Sequence, residues 1–134
     1  MEGNYFISVS CDYDDAPDEI YTRIRDGKLF ELTEADSVTF DFSENAAFEC
    51  DFADRGRISG RFIKIIPNSK VVMEWDVEGF ERPDEKGTKV WITILGSENR
   101  TTLTIEHREI PSEESAEAKR RAWEGILQEL SKSI

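Results

Sequence analysis

The stretch from Ser112 to Ile134 constrains this chain most. Ala116, Trp123, Ile126, Leu127, Leu130 and Ile134 recur at helical spacing and fall on one face. Glu117, Arg121, Glu124, Gln128 and Lys132 project elsewhere. Ser112 suits the N-cap, and Glu113 and Glu114 follow in the first turn, where the helix dipole favours negative charge. Lys132 falls in the last turn, where the dipole favours positive charge. A helix of about twenty residues is roughly 30 Å long at about 1.5 Å per residue. Burying its apolar side chains at roughly 1.5–3 kcal/mol each gives a gross term on the order of 10 kcal/mol. That is comparable to the whole net stability of a small domain. The helix therefore needs a broad apolar surface to lie on, and the residues before it must supply one.

Those residues read mostly as strands. Tyr5, Ile7, Val9 and Cys11 alternate with Phe6, Ser8 and Ser10, a period of two that marks a strand with one buried face. Asp12 to Asp15 break the alternation. Pro17 suits a first helical position, Asp18 and Glu19 the first turn, and Ile20, Tyr21 and Ile24 a short apolar face that Gly27 can end. Leu29, Phe30 and Leu32 predict a second short helix across a sheet end, and Val38, Phe40 and Phe42 a short strand. Phe48, Cys50 and Phe52 form the next strand, with a tight turn at Asp54-Arg55-Gly56. Arg57 to Ile66 and Lys70 to Val77 follow, the latter with Val71, Met73, Trp75 and Val77 on one face. The run from Glu81 to Gly87 reads as a polar, mobile loop, and Thr88–Leu95 and Thr101–Ile110 as a hairpin around Ser97–Arg100.

Successive strands with short turns pair as an antiparallel meander, one face of which can be covered. The terminal helix is the element long enough to cover it. The expected fold is therefore α+β, of the helix-grip kind. A curved antiparallel sheet of about six strands wraps on the long C-terminal helix, and two short helices after the first strand close one end. Residues 1–134 are expected to form a single domain, with room for a cavity between helix and sheet.

The charge excludes two partner classes. With 29 acidic against 17 basic residues the formal net charge is −12, which repels nucleic acid and anionic membrane surfaces. No stretch approaches the roughly 20 apolar residues of a membrane span. The start, Met1 to Tyr5, lacks the basic region and apolar run of a signal peptide. Cys11 and Cys50 form no C-x-x-C and are expected to be reduced packing residues in a cytoplasmic protein.

One series of residues resembles a known family. It comprises Arg57-Ile58-Ser59-Gly60-Arg61-Phe62, Ile66-Pro67, Lys70-Val71-Val72-Met73-Glu74-Trp75, Thr101 to His107, Ile110-Pro111 and Ala122-Trp123. Together these resemble the domain named for the activator of the 90-kilodalton heat-shock chaperone's ATPase, within the START-like (SRPBCC) helix-grip superfamily. The likeness covers nearly the whole chain. There are two departures: Ala122 stands where the family usually has Gly, and Phe40 or Phe42 lies near the place of a missing Trp. The resemblance implies one of two roles, binding and stimulation of that chaperone or retention of an apolar small molecule.

No residue set carries a catalytic motif. His107, the single histidine, shares a face with Leu103 and Ile105 and reads as a core or rim histidine, with a general base or ligand anchor as the alternative. An EF-hand loop from Asp12 would want Gly at Pro17 and Glu at Arg23, so the acidic turn reads as a solvated helix cap. Ser59 lies within a strand, not at a nucleophile elbow. Asn99-Arg100-Thr101 reads as a hairpin turn. The expected cavity lining is Tyr21, Val71, Met73, Trp75, Ile105, His107, Trp123 and Leu127. The expected function is a non-enzymatic binding domain for a small apolar ligand, without metal or cofactor, acting as a monomer or homodimer. The alternative is a co-chaperone-type interaction module, and an enzyme using His107, Tyr21 and Glu74 is the third reading.

Overall fold

The computed structural model describes residues 5–81 and 83–130. Residues 1–4, 82 and 131–134 lie outside the described residues, and with them Lys132 of the expected last turn and Ile134 of the expected apolar face. The elements run β1 (Tyr5–Tyr13), α1 (Pro17–Arg25), α2 (Lys28–Glu31), β2 (Ser37–Phe40), β3 (Ala47–Asp51), β4 (Arg57–Ile66), β5 (Lys70–Glu78), β6 (Glu85–Ser97), β7 (Arg100–Ile110) and α3 (Glu113–Leu130). The strands form one antiparallel sheet in the order β1-β7-β6-β5-β4-β3-β2. It has seven strands rather than about six, because Ser37–Phe40 pairs along its whole length with β3 and forms the second edge.

Local chemistry sets the helix ends as the sequence predicts. Pro17 opens α1, and Glu19 Oε1 accepts from the Ala16 N–H at 2.9 Å. Gly27 turns the chain at φ 89°, where its missing Cβ also makes room for the Phe40 ring. Ser112 Oγ accepts from the Ser115 N–H at 3.1 Å and caps α3.

Two boundaries differ from expectation. β1 continues to Tyr13, which is buried and donates its hydroxyl to the Leu127 carbonyl of α3 at 2.6 Å. β6 begins at Glu85 rather than Thr88, so only the first part of the expected mobile loop is loop. Asp76 Oδ1 accepts from the Gly87 N–H at 2.6 Å, and Glu85 pairs with Val77.

The covered face carries the core. α3 crosses β1 and β7, while α1 lies over β6 and β7. Phe30 of α2 stacks on Phe48 at 4.8 Å and reaches Phe40 at 5.3 Å. At mid-sheet Gly60 of β4 faces Trp75 of β5 in register, and a Cβ there would sit 1.9 Å from the Glu74 carbonyl oxygen. On the outer face Arg108 and Lys70 lie over the Trp91 ring at 4.5 and 5.5 Å. No helix among the described residues is long and apolar enough to cross a membrane.

Candidate functional site

A cleft of about 490 Å³ opens along one flank of α3. The helix wall presents Ala118, Ala122 and Gly125, small residues at i, i+4 and i+7, so their stripe faces one way. The opposite wall is apolar and comes from the ends of β3, β4 and β5: Phe52, Ile58, Val77 and Phe80. Phe80 lies edge-on to Phe52 at 5.4 Å and packs against the bare Cα of Gly56. A Cβ on Gly125 would meet nothing within 4 Å, so the helix leaves that space open.

The floor is aromatic. Trp75 and Trp123 lie 5.2 Å apart between centroids, and His107 is 6.0 Å from Trp75. The Trp123 Nε1–H donates to His107 Nδ1 at 3.2 Å. Thr88 Oγ1 donates to the Trp75 carbonyl, so its oxygen accepts from His107 Nε2–H at 2.9 Å. This pairing assigns His107 the neutral tautomer protonated on Nε2. Burial pushes its pKa down to about 3, and the Lys119 charge pushes the same way. With both ring nitrogens engaged and the proton disfavoured, His107 has no lone pair to offer a substrate as a base.

Behind the floor lies a charged cluster. Lys119 Nζ stands 2.6 Å from Glu85 Oε1, and both side chains are buried, at 8% and 4% exposure. Ser115 Oγ donates to Glu85 Oε2, and Lys119 Nζ donates to Ser115 Oγ at 3.1 Å. Lys119 also lines the cleft. The spacing held a signal for it: Lys119 falls three residues after Ala116 and four before Trp123, inside the apolar stripe. Glu85 carried no such signal. Inward positions of β6 are even-numbered from Thr88 to Ile94, and a bulge opposite Asp76 reverses the parity at Glu85.

Residues 16–134 match the profile of the family described as Activator of Hsp90 ATPase homolog 1-like protein. The chain belongs to that family. Among curated protein sequences none matches it. Several solved structures share the fold. An HSP90 activator from Plasmodium falciparum, PFC0360w, superposes with a TM-score of 0.74 at 20% identity, over 93% of this chain and 92% of that one. The Aha1 dimer from Colwellia psychrerythraea gives 0.75 at 19% identity, over 96% and 95%. DynU16, from the dynemicin biosynthetic locus, gives 0.76 at 17% identity over 95% of this chain. This chain spans 46% of the DynU16 chain. At these identities the likeness is one of fold.

In this member of the AHSA1 family the residues expected to line a central cavity separate into three groups. Trp75, His107 and Trp123 line the cleft. Val71 and Met73 border a small void of about 10 Å³ beside Trp75 and Trp123, room for one water at most. Tyr21, Ile105 and Leu127 border neither of these two spaces. The reason is steric. Ile20, Ile24, Leu29 and Phe30 of the two short helices pack into the core under the sheet, and the cleft lies along the flank of α3. The sequence reading missed Phe52, Ile58, Phe80 and the small-residue face of α3, all of which are brought together by chain turns. Among the described residues no group of His, Cys, Asp and Glu is placed to hold a metal ion. Cys11 and Cys50 are unbridged. Burial, and then the charges of Asp51 and Glu49, push the Cys50 thiol up to about 12, far from a nucleophile's range.

Proposed function

We propose that this AHSA1-family domain is a non-enzymatic binding domain that holds a small, largely apolar molecule in the cleft beside α3. The observation that carries this reading is the cleft itself. Its volume of about 490 Å³ lies in the usual range for small-molecule sites, roughly 300–1,000 Å³. In the aromatic floor the Trp123 N–H is given to His107 and the His107 N–H to Thr88, so an apolar group displaces water over them without stranding either hydrogen bond. The non-enzymatic part of the reading rests on the engaged nitrogens of His107 and the masked thiol of Cys50.

The test is a panel of apolar dyes and lipids titrated against the protein while its Trp fluorescence is followed. Trp75 and Trp123 in the floor report occupancy. Saturable binding that Gly125→Phe abolishes supports the reading. Absence of binding across the panel removes it.

The family description and the likeness to a Plasmodium activator favour a second reading, a module that docks on a 90-kilodalton heat-shock chaperone. An acidic domain suits a basic docking surface by charge complementarity. An unchanged chaperone ATPase rate at low and moderate salt would dispose of it. Under either reading residues 1–134 act as one domain, in the cytoplasm, where unbridged cysteines persist. It works as a monomer or homodimer and does not bind nucleic acid.

A further inference from the structure

We infer that two copies of this chain join into a homodimer by pairing their β1 strands edge to edge, antiparallel, about a two-fold axis at Val9. This selects one of the two assembly states named above and does not depend on what the cleft holds. The sheet has two free edges, β1 and β2. An unguarded edge strand offers a row of backbone N–H and C=O groups to any other strand, and proteins ordinarily blunt it by short length, Lys or Pro, or a bulge. β2 is blunted: it has four residues, with Asp36 and Asp41 on either side. β1 is not. It runs for nine residues from Tyr5 to Tyr13 and contains no Lys, Arg or Pro. The irregularity beside it falls in β7, where Glu109 takes φ 63°: the step from Ile7 to Tyr5 faces the longer step from His107 to Ile110. β1 itself stays regular, with alternate residues turning their backbone groups outward. Tyr5 and Phe6 at its start are 41% and 61% exposed.

What fits this edge is a strand of the same length and low charge, and a second copy supplies one. The chain carries −12, so two copies repel over most of their surface. The β1 edge is an exception. Asp12 is its single charged residue, and it is matched by Arg100 Nη2 at 3.7 Å and by the Thr102 hydroxyl, which donates to it at 2.6 Å. The register follows from length, because pairing about Val9 brings all nine residues opposite one another. It sets Ser8 against the partner's Ser10, Phe6 against the partner's Asp12 and Tyr5 against the partner's Tyr13. Like charges therefore do not face each other across the pair, and the exposed rings of Tyr5 and Phe6 gain cover. A two-fold contact of this kind is self-complementary and closes at two copies, since the remaining edge of each copy is the short β2.

Sedimentation velocity on the wild-type protein from about 1 to about 300 µM follows the assembly by mass action. The expected result is a monomer at the low end and twice its mass at the high end. Hydrogen exchange over the same series should show residues 5–13 gaining about fivefold protection or more, while residues 37–40 gain none. Ser8→Lys/Ser10→Lys changes two exposed side chains and sets lysine against lysine across the axis. It should stay monomeric throughout, with the circular dichroism of the wild type. A wild type that is monomeric at every concentration would overturn the self-pairing; the edge would then be open to a strand of another protein. A dimer in which residues 5–13 gain no protection, or one that survives the two lysines, would overturn this interface. The wild-type series decides both points even if the variant does not fold.

Discussion

The indole N–H of Trp123 donates to Nδ1 of His107 at 3.2 Å, tying the terminal helix to strand β7 at the floor of the cleft. Both residues are buried, at 3% and 0% exposure. Burial, with the nearby Lys119 charge, holds the histidine neutral, and the bond engages the Nδ1 lone pair that is left. Trp123→Ala should destabilise the fold by roughly 3–5 kcal/mol through the lost packing. Trp123→Phe keeps most of the packing but strands Nδ1, at about 1–3 kcal/mol. Chemical denaturation of both variants checks the pair of values, and a loss below about 1 kcal/mol for Trp123→Ala contradicts the docking of α3.

Acid should weaken the fold through His107. Its folded pKa lies near 3, below the ordinary 6.5, so between those values the unfolded chain binds a proton that the folded chain does not. The stabilising contribution is complete above about pH 6.5 and is lost as the pH falls toward about 3, at about 1.4 kcal/mol per unit. Urea denaturation at about pH 7.5 and about pH 5 should show the wild type losing about 2 kcal/mol, and His107→Gln markedly less. Equal losses in the two proteins would show that His107 is not the group responsible.

Gly125 should be a stability defect that the cleft requires. An interior helical Gly is about 0.5–1 kcal/mol worse than Ala, and a Cβ at this position meets nothing within 4 Å. Gly125→Ala should therefore raise the unfolding free energy by about that amount. Gly125→Phe should keep the fold while filling the cleft, and lose dye binding. A Gly125→Phe protein that binds as well as the wild type would place the ligand elsewhere.

Gly60→Ala should break the sheet at its centre. The added Cβ would lie 1.9 Å from the Glu74 carbonyl oxygen, with Phe48 close behind. Backbone is the obstacle, so relief requires strands β4 and β5 to separate. The loss should exceed about 2 kcal/mol, measured by thermal or urea unfolding. A near-neutral result would mean that the two strands approach less closely than described.

The two thiols should differ in reactivity. Cys11 is half-buried on β1, whereas Cys50 is fully buried, with its thiol held protonated. At about pH 8 a thiol reagent should label one equivalent, at Cys11, and reach Cys50 only in denaturant. Rapid labelling of two equivalents would contradict the packing of β3.

The period of two in Val71, Met73, Trp75 and Val77, and the helical stripe through Trp123, Ile126, Leu127 and Leu130, determine the elements and their buried faces without any coordinates, because apolar periodicity reports the geometry of a single element. They also place Trp75, His107 and Trp123 on inward faces that meet. What periodicity lacks is any measure of how much space lies between two facing elements. Whether Tyr21, Ile105 and Leu127 border a cavity or a packed interior depends on the volume contributed by Phe30, Leu29 and Ile24, and on where α1 and α2 come to rest. The same holds for Glu85: one bulge reverses its parity and turns a loop residue into the buried partner of Lys119. The sequence by itself determined the strands, the helices and their apolar faces, since each follows from a local repeat. Tertiary structure alone decided the position of the cleft and the chemistry of its wall, since both depend on contacts between residues far apart in the chain, on which local periodicity is silent.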